Sequence, residues 1–157
     1  MGKADNFQVT PMDADSVQIR PAASEEFERI DGMVRDIVAE IYGHLLPPSG
    51  VEIRGNWQHA HVAVRDEAIV GVALALGDWI DDLWIAADAR GQGIGARLLH
   101  LTEREIARDG FIQARLRLVS QNLAALAFYR KQGWLARRSY PHERYGFSMT
   151  EMSKRVG

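Results

Sequence analysis

Three glycines at alternate positions, Gly91, Gly93 and Gly95, constrain this chain more than any other feature, because they separate an apolar run ending at Ile85 from an amphipathic helical pattern. A strand, a loop and a helix start follow one another there. Without a Cβ, glycine reaches positive φ and lets the backbone approach a ligand closely. The first turn of a helix adds unpaired N–H groups at the positive end of the macrodipole. Such a loop is an anion site built from backbone alone. A ligand-free turn also uses glycine, but it rarely needs three at alternate positions directly before a helix.

The rest of the chain places this loop inside one α/β domain. Its 157 residues, 46% hydrophobic and 25% charged, suit a single globular unit with a sizeable core. Residues 1–15 are polar, lack the apolar run of a signal peptide, and read as a loose tail before a domain at residues 16–157. Residues 16–20 alternate as a short strand. Helical spacing runs through Phe27, Ile30, Val34, Ile37, Val38 and Ile41, read as a helical region at 24–46 that divides in two near Gly32. Residues 61–64 and 69–76 form a hairpin pattern, and 79–85 a third strand. The helix after the glycines carries a stripe of Ile94, Leu98 and Leu101, flanked by Leu99, Thr102 and Ile106, and stops at Gly110. A strand at 114–119, a helix from Asn122 to a stop at Gly133, and strand candidates at 134–135 and 147–152 complete the order. This order predicts a mixed, mostly antiparallel sheet of about six to seven strands flanked by about four helices.

Composition narrows the function. A net charge of −2 gives no pull towards nucleic acid, and no apolar stretch reaches the roughly 20 residues that span a bilayer. The absence of cysteine excludes disulfides, thiolate zinc sites and a cysteine nucleophile, and fits a reducing cytoplasm. His59 and His61 share a strand parity but have no third ligand at recognisable spacing; they read as edge-strand histidines, with no metal expected. Neither a Rossmann fingerprint nor a Gly-Lys-Ser/Thr phosphate loop is present. Asn122 and Tyr129 lie seven residues apart, two turns or about 10.5 Å along one helix face. Each has an ordinary structural role open to it, an N-cap for Asn122 and a core position for Tyr129.

Residues 81–95, an acidic pair leading through a strand into the glycine loop, and Asn122 with the 127–134 segment around Tyr129 together resemble the GNAT superfamily of N-acetyltransferases. Where that family often carries proline before its arginine-glycine pair, this chain has Ala87. The resemblance implies a GNAT-like fold and acetyl-CoA, or a related acyl-CoA, as co-substrate. It also implies that the backbone of Leu83, Trp84 and Ile85 pairs with the pantetheine arm, and that main-chain N–H groups of Arg90, Gly91, Gln92, Gly93, Ile94, Gly95 and Ala96 hold the pyrophosphate. By the same carry-over Asn122 orients the cofactor and Tyr129 faces its sulfur.

The implied reaction moves an acetyl group to a primary amine by direct attack in a ternary complex. A lysine-like amine with pKa about 10.4 is neutral in only about one molecule in 2,500 at pH 7, so a proton must be accepted. Asp81 and Asp82 are the nearest acids; strand neighbours point to opposite faces, so at most one faces the substrate, and the resemblance favours Asp81. An aspartate near pKa 3.9 serves equally as a binder of the ammonium. Tyr129 is expected as a hydrogen-bond donor to the leaving thiolate. Acids outnumber bases at residues 24–40, which suits a cationic acceptor as well as a solvated helix face. A non-catalytic acyl-CoA sensor is the alternative class, and a homodimer is left open.

Overall fold

The computed structural model describes residues 16–47, 49–50 and 52–157; the expected tail at 1–15 lies outside them. Ten elements follow in order: β1 (Gln18–Pro21), α1 (Phe27–Tyr42), β2 (His61–Arg65), β3 (Ala68–Leu76), β4 (Trp79–Ile85), α2 (Ile94–Arg108), β5 (Gln113–Val119), α3 (Leu123–Lys131), β6 (Leu135–Pro141) and β7 (Ser148–Arg155). The strands form one sheet in the order β1-β2-β3-β4-β5-β7-β6. Among the described strands only β4 and β5 run parallel. The expected mixed, mostly antiparallel sheet is therefore present, with seven strands.

Among the described residues three α-helices cover it, together with short 3₁₀ turns at Ser24–Glu26, Gly43–Leu45 and Ala87–Ala89. The division near Gly32 does not occur: α1 runs unbroken through it. A Cβ at Gly32 would meet nothing within 4 Å, so packing imposes no kink, and the lower helix propensity of one glycine is outweighed by the buried stripe Ile30, Val34 and Ile37. That stripe packs on Val62, Val72 and Leu74 of the sheet, with Trp57 filling the space beside them. On the opposite face α2 and α3 close over Ile80, Leu99, Ile106, Leu116, Trp134 and Met152. Leu101 is only partly buried; Leu99, Thr102 and Ile106 carry the inner face of α2 with Ile94 and Leu98. Gly71 makes room for α2, since a Cβ there would stand 3.0 Å from both Leu98 Cδ1 and Ile85 Cδ1.

Two further expectations change with the topology. His61 is not on an edge strand, because β1 pairs outside β2; its Nδ1 lies 3.3 Å from Glu105 Oε2. β6 extends from Leu135 to Pro141, well beyond the expected pair at 134–135. It is the outer strand and carries mostly exposed polar residues, so no apolar alternation marked it.

Before α1, Glu26 is 4% exposed and anchors β1 to the helix. Arg20 donates to both its carboxylate oxygens at 2.9 and 2.6 Å, and the Ala23 N–H donates to Oε1 at 2.9 Å. The Arg20 hydrogen bonds come first among the influences that hold this carboxyl down to about 2. A carboxyl depressed in the folded state stabilises above its unfolded pKa and loses that contribution as pH falls towards 2. Glu26→Gln is expected to cost about 1–3 kcal/mol at pH 7. Urea midpoints of the two proteins should then converge as pH falls from about 5 to about 2; equal midpoints at pH 7 would deny the cluster this role.

Candidate active site

The site begins with a defect in β4. β3 and β4 pair Leu74 with Asp82 and Ala75 with Ile80, leaving Asp81 as the extra residue of a bulge. A bulge breaks the two-residue alternation and adds local twist. Ile80 and Leu83 consequently both face α2 and α3, while Asp82 and Trp84 face α1, following their partners Leu74 and Val72. Asp81 and Asp82 meet at this bulge. Both line the same cleft.

That cleft, about 1310 Å³, opens because β4 and β5 separate. Their single registered pair is Trp79 with Arg115, reinforced by the Arg115 N–H donating to the Asp78 carbonyl at 2.8 Å. Beyond it the facing edge of β4 has no strand beside it among the described residues. Backbone groups left unpaired at a sheet edge invite an extended ligand that pairs as a strand does. Leu83, Trp84 and Ile85 lie on this edge and line the cleft.

At its end stands the glycine loop. Gly91 and Gly93 have φ of 77° and 85°, which only glycine adopts at little cost. Gly95 differs. Its φ is ordinary, and a Cβ would meet Phe128 Cζ at 3.5 Å and Ile85 Cγ1 at 3.6 Å, ordinary packing distances, so neither backbone conformation nor packing demands glycine here. The first backbone bond of α2 runs from the Arg97 N–H to the Gly93 carbonyl at 3.1 Å. The N–H groups of Ile94, Gly95 and Ala96 thus begin the helix without a backbone acceptor among the described residues.

Side chains brace the loop. Arg90 Nε donates to the Ile85 carbonyl at 3.0 Å, and its guanidinium pairs with Glu40 of α1 at 2.9 and 3.1 Å. Gln92 accepts from Arg65 Nη1 at 2.7 Å and donates to the Asp88 carbonyl at 3.3 Å. Gln92 therefore turns away from the cleft, and the Ile94 side chain is buried in the core at 1% exposure. The other expected residues, Leu83, Trp84, Ile85, Arg90, Gly91, Gly93, Gly95, Ala96, Asn122 and Tyr129, all line the cleft.

Asn122 is the N-cap of α3: its Oδ1 accepts from the Ala125 N–H at 3.1 Å. Its Nδ2 donates to the hydroxyl of Tyr42 at 2.7 Å, joining α3 to the end of α1 across the cleft. Tyr129 packs edge-on against Phe128 and Trp134, with ring centroids 5.1 and 6.0 Å apart. Gly133, at φ 95°, ends the helix so that the Trp134 N–H reaches the Tyr129 carbonyl at 3.0 Å. The Tyr129 hydroxyl finds no hydrogen-bond partner among the described residues. Burial, and secondarily Tyr42, raise its pKa above the ordinary tyrosine value, so this phenol stays protonated.

Charges on the α1 side are mostly matched. Glu143, in the loop between β6 and β7, binds the Arg117 guanidinium at 2.8 and 3.0 Å and is itself held down to about 2 by that contact. Arg138 binds Glu151 at 2.9 Å. Asp81 and Asp82 have no such cation bound to them; burial raises both, opposed at Asp81 by Arg117 and at Asp82 by a 2.9 Å bond from Trp84 Nε1. Tyr42, Arg117, Arg138 and Glu151 escaped sequence reasoning. They come from α1, β5, β6 and β7, with no motif linking them.

The sequence profile of the acetyltransferase (GNAT) domain matches residues 50–156. Over 149 residues the chain is 29% identical to the uncharacterized N-acetyltransferase YesJ of Bacillus subtilis (strain 168), spanning 77% of this chain and 83% of that protein. The PaiA N-acetyltransferase of Thermoplasma acidophilum, solved in complex with coenzyme A, superposes with a TM-score of 0.70 at 20% identity, covering 89% of this chain and 99% of that one. Arabidopsis thaliana Naa50, in complex with the bisubstrate analogue CoA-Ac-MVNAL, gives 0.65 at 19%, covering 88% and 98%. These two likenesses speak to the fold, whereas the matched profile spans most of the chain and takes in the glycine loop, Asn122 and Tyr129. By that match the chain belongs to the GNAT family of acetyltransferases.

Proposed function

We propose that this chain transfers an acetyl group from acetyl-CoA to a primary amine of a small molecule or peptide, by direct attack within a ternary complex. The observation that carries this reading is the meeting of three features in one cleft: the unpaired edge of β4, the free N–H groups at the start of α2, and the unpartnered hydroxyl of Tyr129. An extended pantetheine arm fits the first, a pyrophosphate the second. The backbone of Leu83, Trp84 and Ile85 binds the arm, Arg90 and Gln92 stiffen the loop, and Asn122 holds the start of α3 over it.

Asp81 receives the incoming ammonium. Its carboxylate accepts no hydrogen bond from a described residue, whereas Asp82 already spends one oxygen on Trp84. The amine loses its proton there or to water, its nitrogen bonds the acetyl carbon, and the carbon–sulfur bond breaks. Tyr129 donates a hydrogen bond to the departing thiolate. With no cysteine in the chain, no enzyme thiol carries the acetyl group between donor and acceptor.

The test measures free thiol released from acetyl-CoA against a panel comprising a triamine, a lysine ester and an alanine-initiated peptide. Release dependent on one of these acceptors is expected. Acetyl-CoA at about 100 times its Kd should add about 2.7 kcal/mol of stability, read as a rise in Tm. Stabilisation without turnover on any acceptor would favour a sensor, and neither effect would remove acetyl-CoA altogether.

A further inference from the structure

Tyr42 ends α1 on the wall of the cleft opposite α3, its ring edge-on to Trp84 with centroids 6.5 Å apart and planes at 83°. Its hydroxyl meets the amide of Asn122, and the direction of that bond is decided by the other end of the amide. Because Oδ1 accepts from the Ala125 N–H, the group facing Tyr42 is the NH₂, which only donates. The phenolic oxygen is therefore the acceptor, and its own proton is not spent on Asn122. No described residue takes that proton. Burial raises the Tyr42 pKa, with the Asn122 bond opposing, so the group remains a donor rather than a base.

We infer that Tyr42 is a second hydroxyl donor of the transfer site, held by Asn122 and Trp84 so that its free proton is offered to the reacting thioester. This rests on the acetyl-transfer reading above and adds a residue to it. Attack on a thioester develops negative charge at two atoms, the carbonyl oxygen and the sulfur. Tyr129 serves the sulfur from α3, and Tyr42 reaches the carbonyl oxygen from α1. No proton leaves Tyr42; it gives a hydrogen bond that strengthens as the oxygen gains charge. Asn122 acts through Tyr42 and is a positioning residue in this respect.

Two substitutions separate this role from simple bracing. Tyr42→Phe keeps the ring against Trp84 and removes only the hydroxyl. Asn122→Asp keeps an oxygen for the Ala125 N–H and a second oxygen for Tyr42, so the tie across the cleft survives. An aspartate accepts rather than donates, however, and would consume the Tyr42 proton. Turnover is measured at saturating acetyl-CoA with whichever panel amine the wild type acetylates fastest, alongside melting curves to confirm folding. Both variants are expected to lose about 10- to 100-fold in kcat, and the double variant no more than the weaker single one. Asn122→Asp at wild-type kcat would leave the bond a structural tie and overturn the inference, as would Tyr42→Phe at wild-type kcat. If the wild type itself turns over no amine, the transfer reading fails first and the inference with it.

Discussion

Replacing Tyr129 by phenylalanine is expected to lower kcat by about 10²- to 10⁴-fold while leaving the affinity for acetyl-CoA unchanged. The ring contacts with Phe128 and Trp134 need no hydroxyl, and that hydroxyl bonds to no described residue, so its removal leaves the fold without an unsatisfied partner. On the proposed acetyl transfer, what disappears is a hydrogen-bond donor to the charge that would develop on the sulfur during the reaction. Full proton transfer from Tyr129 is disfavoured. Even ordinary values, about 10 for a phenol against about 8.5 for a thiol, make it uphill by about 2 kcal/mol, and burial raises the phenol further. A hydrogen bond would avoid that cost and still stabilise a developing thiolate, the role proposed for Tyr129. Steady-state kinetics with isothermal binding of acetyl-CoA checks the split. Unchanged kcat would remove Tyr129 from the chemistry, and a matching loss of affinity would make it a binding residue.

The largest loss of stability is expected from Trp134→Ala, about 3–5 kcal/mol. Trp134 is 1% exposed, and its Nε1 donates to Glu103 Oε2 at 2.9 Å. Truncation empties a large volume between α2, α3 and β7 and deprives a buried carboxylate of one donor. Lys154, 2.9 Å away, still pairs with Glu103 and keeps it from standing alone. At roughly 2–4 °C per kcal/mol for a chain of this size, Tm should fall by roughly 6–20 °C. Trp134→Phe retains most of the packing and should cost much less. Activity of the alanine variant should fall even below its melting temperature, because Tyr129 loses the ring it leans on. Thermal and urea denaturation measure the first effect, and kcat well below Tm measures the second. A Tm within about 2 °C of wild type would mean that the surrounding side chains collapse into the space.

How much of this was legible depended on how local the determinant was. Residues 83–99 announced strand, loop and helix because the apolar run, the positive-φ positions and the helical period are all read within a few residues. The Asn122 cap and the Gly133 stop are equally local. The continuity of α1 is less legible, since Gly32 is a local helix weakener and burial of Ile30, Val34 and Ile37 overrides it. The sequence pattern understates β6 because an exposed edge strand needs no apolar alternation. At the acidic pair, alternation placed Asp81 and Asp82 on opposite faces, which holds for an unbroken strand. A bulge defined by pairing with Leu74 and Ala75 of β3 brings both into one cleft.

The sequence by itself therefore determined the family, the glycine loop with its available backbone donors, and the helix carrying Asn122 and Tyr129, because each depends on chemistry and spacing along a short stretch of chain. The tertiary structure alone decided the width of the cleft, the meeting of both aspartates, and the place of Tyr42 opposite Asn122. Those follow from strand register and from how α1 docks on the sheet, where residues 80 positions apart become hydrogen-bond partners. No local period or motif encodes such a contact.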